Sequence, residues 1–338
     1  MSTQLSGGGP ALRLGTRRSP MAMTQSAHVA ELLTARTGRQ VELVGLTSFG
    51  DVSRAALAQI GGTGVFISEL RARLLDGEID FAVHSLKDLP TREDSELVIA
   101  AVPPRDDPRD ALAARNGAKL ADLPPNARIG TGSPRRAAQL LLSRPDVRPV
   151  PIRGNAGTRL GKIGSGEVDA VVLAYAGLAR IGQLEVVSQV FEPEEMMPAP
   201  GQGALAVECL ASRTDLATLL GQIDDAASRA ATEAERSLLA ALEAGCAAPV
   251  GAYAAGTEAL RLDAIVVAPD GGQALRATAT GMAGDASLIG RDVAAELLRR
   301  GAGSYTEVSA GHPTHEVSAG HLIHPMSEGH LIDGDDVK

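Results

Sequence analysis

The feature that most constrains this chain is a repetition inside it. Arg13-Leu14-Gly15-Thr16-Arg17-Arg18-Ser19-Pro20 and Arg128-Ile129-Gly130-Thr131-Gly132-Ser133-Pro134 share one order: strand, Gly-Thr, a Ser suited to cap a helix, then Pro at its first turn. Gly77-Glu78-Ile79-Asp80-Phe81-Ala82-Val83 is echoed in the same way by Gly166-Glu167-Val168-Asp169-Ala170-Val171-Val172. Two signatures recurring in one order predict two similar α/β lobes with a cleft between them. At 338 residues the chain has room for both and for a third domain.

In the first lobe a helix should run from Pro20 through Ala27, Ala30, Leu32 and Leu33 and stop at Gly38. Val41 to Leu46 is the next strand, and residues 66–76 are helical. Between them, Ser48-Phe49-Gly50-Asp51 and Gly61-Gly62-Thr63-Gly64 bracket an expected mobile loop. Ile79 to Val83 is an apolar run of strand formers, and Pro90 forces the chain to turn soon after Asp88. Ser85, Lys87 and Asp88 therefore fall at the carboxyl end of a parallel strand, where open α/β sheets bind ligands. The plainer alternative is a capped turn with Lys87 and Asp88 paired in solvent.

Pro103 to Pro108 and Met197 to Gly203 are candidate crossings between the lobes, and Ala204 to Cys209 is a strand able to return to the first sheet. Two crossings would let the lobes open and close as a clamp. An Ala-rich helix at 224–244, with Arg229 and Glu233 at helical spacing, ends at Gly245. Strands at 249–254, 260–268 and 273–280 and a helix at 287–300 complete a small α+β domain. The expected division is residues 12–103 with 204–221 (lobe 1), 104–203 (lobe 2), 222–302 (third domain) and a disordered tail, 303–338. That tail repeats Glu-Val-Ser-Ala-Gly-His and holds five of the seven histidines, at a spacing that fits no structural metal site.

A net charge of −9 argues against nucleic acid or a membrane surface as partner, and 2% aromatic residues leave little for base stacking. With Cys209 and Cys246 as the two cysteines, no secretory signal in residues 1–11 and no membrane-length apolar run, a cytoplasmic protein is expected. A monomer is expected separately.

Within this acidic chain, Arg128, Arg135, Arg136, Arg144, Arg148, Arg153 and Arg159 are accompanied by one acid, Asp146. Arg135 and Arg136 stand in the first turn of a helix, where positive charge opposes the dipole unless an anion sits between them. Arg153-Gly154-Asn155-Ala156-Gly157-Thr158-Arg159 adds two forks beside glycines that permit close backbone approach. Arginine suits bidentate recognition of carboxylate or phosphate, so an anion site is expected here. A solvated basic face is the alternative. Cys246 follows a helix C-terminus with no adjacent His or Lys, a poor setting for a turnover nucleophile. It is either an inert cysteine or a thiol alkylated once that then carries a group permanently.

Six ordered stretches resemble the porphobilinogen deaminase (hydroxymethylbilane synthase) family. They are Leu14 to Pro20, Val83 to Pro90, Asp107-Pro108-Arg109-Asp110-Ala111, Arg153 to Leu160, Pro198 to Ala204, and Glu243-Ala244-Gly245-Cys246-Ala247-Ala248-Pro249-Val250-Gly251. The likeness runs from about Leu12 to Arg300 and leaves out the tail. Thr63 and Phe49 depart from the family's pattern in the loop. The resemblance implies two lobes like type II periplasmic binding proteins and a third domain bearing the cofactor cysteine.

It also implies that Cys246 holds a dipyrromethane through a thioether and that Asp88 is the catalytic carboxylate. Ser85, Lys87, Thr131, Ser133, Arg135, Arg136, Arg153 and Arg159 would bind the cofactor. Arg17, Ser19, Arg153, Arg180, Gln202 and Phe66 would bind porphobilinogen. The implied reaction joins four porphobilinogens head to tail with release of four ammonia. Losing ammonia leaves an electron-poor methylene-pyrrolenine cation, which a carboxylate can stabilise while shuttling pyrrole protons. The rival reading is a non-enzymatic two-lobed binding module for an anionic metabolite, which leaves Asp88 and Cys246 without a role.

Overall fold

The computed structural model describes residues 9–46, 62–92, 94–245 and 248–306, with side chains of the helix opening at Gly62 described from Ile67 onward. Cys246, the loop between 47 and 61, and the repeats after 306 lie outside the described residues.

Leu12–Arg17 forms β1, and the Ser19 hydroxyl accepts from the Ala22 amide to start α1, Pro20–Thr37. Gly38, at φ 71°, ends that helix in the left-handed conformation glycine adopts without cost. Val41–Leu46 (β2), the helix Gly62–Leu75 (α2), Phe81–Ser85 (β3) and Leu97–Ala101 (β4) follow. The second lobe takes Asp110–Ala114 (β5), Arg128–Thr131 (β6), Pro134–Ser143 (α3), Arg148–Pro151 (β7), Ala156–Gly164 (α4), Ala170–Ala174 (β8), Tyr175–Arg180 (α5) and Gln189–Val190 (β9).

Leu205–Leu210 (β10) then returns to the first sheet, followed by Thr214–Leu220 (α6). Ala226–Ala241 (α7), Val250–Ala255 (β11), Ala259–Val267 (β12), Ala274–Met282 (β13), Ala286–Arg299 (α8) and Gly303–Thr306 (α9) complete the chain.

The sheets run β2-β1-β3-β10-β4, β7-β6-β8-β5-β9 and β11-β12-β13. In each lobe two parallel pairs are followed by an antiparallel strand, β10 beside β3 and β5 beside β8. Leu14, Leu33, Phe81 and Val207 are fully buried in the first lobe, and Leu112, Ile129, Leu140 and Val172 in the second. Each such side chain contributes roughly 1.5–3 kcal/mol by leaving water.

Several expectations are corrected. The strand begins at Phe81, not Ile79, because the Asp80 carboxylate turns back to the Arg13 amide and guanidinium while Ile79 is buried against Gly15. The Ala-rich helix ends at Ala241, and the left-handed residue after it is Glu243 (φ 50°) rather than a glycine. Arg229 pairs backwards with Asp224 instead of with Glu233, which accepts from Ser287. Residues 303–306 are not part of a tail, since they form α9 and Tyr305 packs on the third domain's core.

The crossings meet. Asp106 N donates to Gly203 O, and a Cβ on Gly203 would sit 2.5 Å from Asp106 O, so only glycine (φ 87°) permits this approach. Beside them Glu235 of α7 is fully buried and accepts from Arg105 Nη1 (2.7 Å) and Nη2 (3.0 Å), Gly201 N (2.7 Å) and Ala254 N (2.9 Å). One carboxylate thus fastens both crossings to the third domain.

Candidate active site

The site is built where β3 ends. Ser85 hydrogen-bonds Gln25 of α1 (3.1 Å), after which Leu86–Asp88 form a single 3₁₀ turn. Leu86 N donates to Ala204 O of the second crossing, and Arg236 of α7 donates to Leu89 O and Pro90 O. The turn is therefore propped from its own lobe, from the crossing and from the third domain. Behind it lies a buried ionic row: Arg71 of α2 grips Glu208 of β10 (2.7 Å), and His84 Nε2 lies 3.2 Å from the same carboxylate.

Lys87 and Asp88 lie side by side on this turn and are both part-exposed. Confinement by protein pushes the Asp88 carboxyl up, against the pull of Lys87, Arg17 and His84. Lys87 is pushed down to about 8, by burial first and then by Arg136, while Asp88 and Asp110 oppose the fall. Its ammonium donates to Gln202 Oε1 at 3.2 Å.

The second lobe places Thr131 at the end of β6, with its hydroxyl accepting from Ser133 N (3.2 Å). Ser133 in turn caps α3 at Arg136 N (3.4 Å). The carboxylate that meets these arginines belongs to the chain. Asp110 meets Arg135 at 2.8 Å and Arg136 at 2.7 Å, with all three buried. The two guanidiniums hold Asp110 far below the usual carboxylate range despite its burial.

Arg135, Arg136 and Gln202, expected as ligand contacts, are also held by the chain itself. Arg136 gives Nε and Nη2 to Asp110 and Nη1 to Val172 O, and Arg135 gives Nη1 to Met197 O. Gln202 gives its amide hydrogens to Pro108 O and Asp110. Asp110 is the residue that the sequence reading passed over. It stands inside the Asp107 to Ala111 stretch quoted above but was given no role there, although it is an acid beginning a strand of otherwise apolar residues.

Arg153 and Arg159 behave differently. Arg153 is exposed, and Arg159 uses Nε on Gly154 O at the start of α4, where Asn155 is the cap. Neither meets a carboxylate among the described residues. Arg159 is pushed down by burial and by repulsion from Arg136, which marks positive charge in excess at this end of the lobe. Arg180 straps the crossings through Asp106 (2.7 Å) and Gly203 O (2.7 Å), leaving Nη1. Of the remaining sequence expectations, Arg17 lies near Asp88, Ser19 caps α1, and Phe66 belongs to α2 with its side chain outside the described residues. Cys246 is outside them too, one residue beyond Gly245. The described chain approaches it through Glu243, whose left-handed backbone is a costly conformation of a kind that clusters at functional sites.

The family model described as porphobilinogen deaminase, dipyromethane cofactor binding domain, matches residues 12–218, and the model of the porphobilinogen deaminase C-terminal domain matches 230–299. Porphobilinogen deaminase of Thermobifida fusca is 60% identical over 300 residues, covering 86% of this chain and 94% of that protein. Porphobilinogen deaminase 1 of Streptomyces coelicolor is 53% identical over 306 residues, covering 86% and 96%. Among solved structures, the BvgS VFT2 domain of Bordetella pertussis aligns with 63% of this chain and 86% of its own, at TM-score 0.41 and 18% identity.

Proposed function

The chain belongs to the porphobilinogen deaminase family, and from that premise we propose which of its side chains carry each part of the reaction. The activity is that of hydroxymethylbilane synthase in tetrapyrrole biosynthesis, and the first two lobes are the part that binds the dipyrromethane cofactor. The residues present fit a group rich in carboxylates. Arg153 and Arg159 have no acid of the chain opposite them among the described residues, and Arg136 and Arg159 repel each other. When bound, the dipyrromethane supplies the pyrrole carbon to which the first porphobilinogen is joined. Cys246 is the attachment point in this reading, supported by the Glu243 to Gly251 match.

The observation that carries the assignment is Asp88 beside Lys87 on the turn after β3, with its carboxyl raised by confinement. A carboxylate with a raised pKa is suited to take and return pyrrole protons. While ionised it also stabilises the positive charge that develops as ammonia leaves. Lys87, Arg17, Arg153, Arg159 and Nη1 of Arg180 bind acetate and propionate groups, with Arg135, Arg136, Gln202 and Phe66 as further contacts to cofactor or substrate. Thr131, Ser85, Ser19 and Ser133 add hydroxyls, and Ser19 and Ser133 also the amides of the helices they cap.

The chain divides into residues 12–103 with 204–221, residues 104–203, and residues 222–306, a reading supported by the three sheets and the cores beneath them. It acts as a cytoplasmic monomer. In support, the Cys209 thiol is buried and free, and no helix among the described residues is long and apolar enough to cross a membrane.

Two measurements test the assignment. Peptide mapping of the active enzyme should find a two-pyrrole adduct on the Cys246 peptide, and an unmodified Cys246 there would reject it. Asp88→Asn should lower kcat by about 10²–10³ with KM nearly kept. A raised KM with kcat intact would make Asp88 a binding residue instead.

A further inference from the structure

We infer that Asp110 is a positioning residue for this reaction: through Gln202 it fixes where the Lys87 ammonium lies, tying the second lobe to the turn that bears Asp88. The inference rests on the reading of Lys87 as a carboxylate anchor given above.

The geometry leaves Gln202 one orientation. Its Nε2 donates to Pro108 O at 2.7 Å and to Asp110 Oδ1 at 2.8 Å, so both amide hydrogens are engaged. Its Oε1 then faces two cations, Lys87 Nζ at 3.2 Å and Arg136 Nη2 at 3.4 Å. A flipped amide would set oxygen against a carboxylate and hydrogens against an ammonium and a guanidinium. Asp110 thus dictates the direction of an oxygen that the Lys87 ammonium follows. Asp110 itself cannot drift, because Arg135 and Arg136 hold its two oxygens from α3 and the group is fully buried.

The same arrangement sets the field at the amine. Among the described residues, the charged groups that act on it are Asp88 on its own turn, Asp110 on β5, and Arg135 and Arg136 on α3. Arg17 of β1 borders Asp88, and Arg236 of α7 holds the carbonyls beneath the turn. Gln202 brings no charge, so Lys87 is pulled by Asp110 and pushed by Arg136 across a neutral amide. Removing Asp110's charge should lower the amine's titration, and removing Arg136's should raise it. Mere loosening of the fold would free the amine and carry both upward.

Competitive acetylation of the full-length protein over a neutral-to-alkaline pH series, read on the Lys87 peptide, tests this. It yields a titration midpoint and a limiting reactivity that measures access. The midpoint should lie near 8 in the unaltered chain. Asp110→Asn should move it down by about one pH unit, and Arg136→Gln should move it up by about the same amount, with limiting reactivity unchanged. Both midpoints rising, or neither moving, would overturn the inference. Should Asp110→Asn not fold, Gln202→Met decides, because it leaves Asp110 paired with Arg135 and Arg136 and removes only the link to the ammonium. Raised limiting reactivity of Lys87 in that variant supports the inference, and limiting reactivity equal to that of the unaltered chain overturns it. The labelling reports on Lys87 whether or not Asp88 performs the chemistry, so failure here leaves the Asp88 test standing.

Discussion

The two lobes are built on one frame and end it differently. In the first, Asp80 closes on the Arg13 amide (2.7 Å) and guanidinium (3.1 Å); in the second, Asp169 does the same to Arg128 (2.8 and 3.1 Å). Ser19 and Ser133 cap the following helices, and the strand orders correspond. Where the third strand of each lobe stops, the likeness ends. After β3 a tight turn presents Lys87 and Asp88, and after β8 a helix presents Arg180. The first turn of α1 carries no charge where that of α3 carries Arg135 and Arg136. The lesson is that the frame sets the fold while the strand ends and first helical turns set the chemistry.

That division can be broken from the largest effect downward. Glu235 fastens both crossings, so Glu235→Gln should strand the buried Arg105 charge and cost about 3–5 kcal/mol in denaturant unfolding. A loss below 1 kcal/mol would mean that the lobes do not depend on the third domain. Next, Arg159→Leu should weaken substrate or cofactor binding by about 1.5–3 kcal/mol, the worth of a charge-assisted bond, and leave the Asp88 chemistry intact. A kcat loss with unaltered binding would erase the contrast between a binding lobe and a reacting one.

The caps test the shared frame. Ser19→Ala and Ser133→Ala should each cost about 0.5–1 kcal/mol of stability, because both accept a single long bond (3.3 and 3.4 Å). If the two differ by much more than that, the helices are not equivalent. The smallest effect belongs to the paired edges. Double-mutant cycles on Arg13–Asp80 and Arg128–Asp169 should give couplings of about 0.2–1 kcal/mol, similar in both lobes, since both arginines are water-exposed.

Much of the frame was legible because it is local. The Ser-Pro starts, Gly38 and the apolar strand of Val41 to Leu46 each declare themselves within a few residues. The site was legible only in part. The clash of Arg135 and Arg136 with a helix dipole pointed to an anion, and the chain itself supplies a carboxylate to both guanidiniums, Asp110, delivered by β5 pairing with β8. No local pattern announces a partner that a sheet brings from another stretch of chain. Arg229 shows the same limit: helical spacing favoured Glu233, while the residue just outside the helix, Asp224, had the better geometry. Glu235 gave no signal, since a lone acid in an Ala-rich helix looks like any solvated charge until Arg105 is folded against it.

One buried atom has a practical meaning. Cys209 sits in β10 with no exposed surface, and its thiol is pushed up to about 11 by burial. To an electrophile meeting the native protein near neutral pH, that sulfur is neither reachable nor ionised. The chain has two cysteines, and a native thiol titration leaves Cys209 out of the count. On the proposal that Cys246 carries the primer, any thiol that does titrate counts molecules still lacking it, without turning over any substrate.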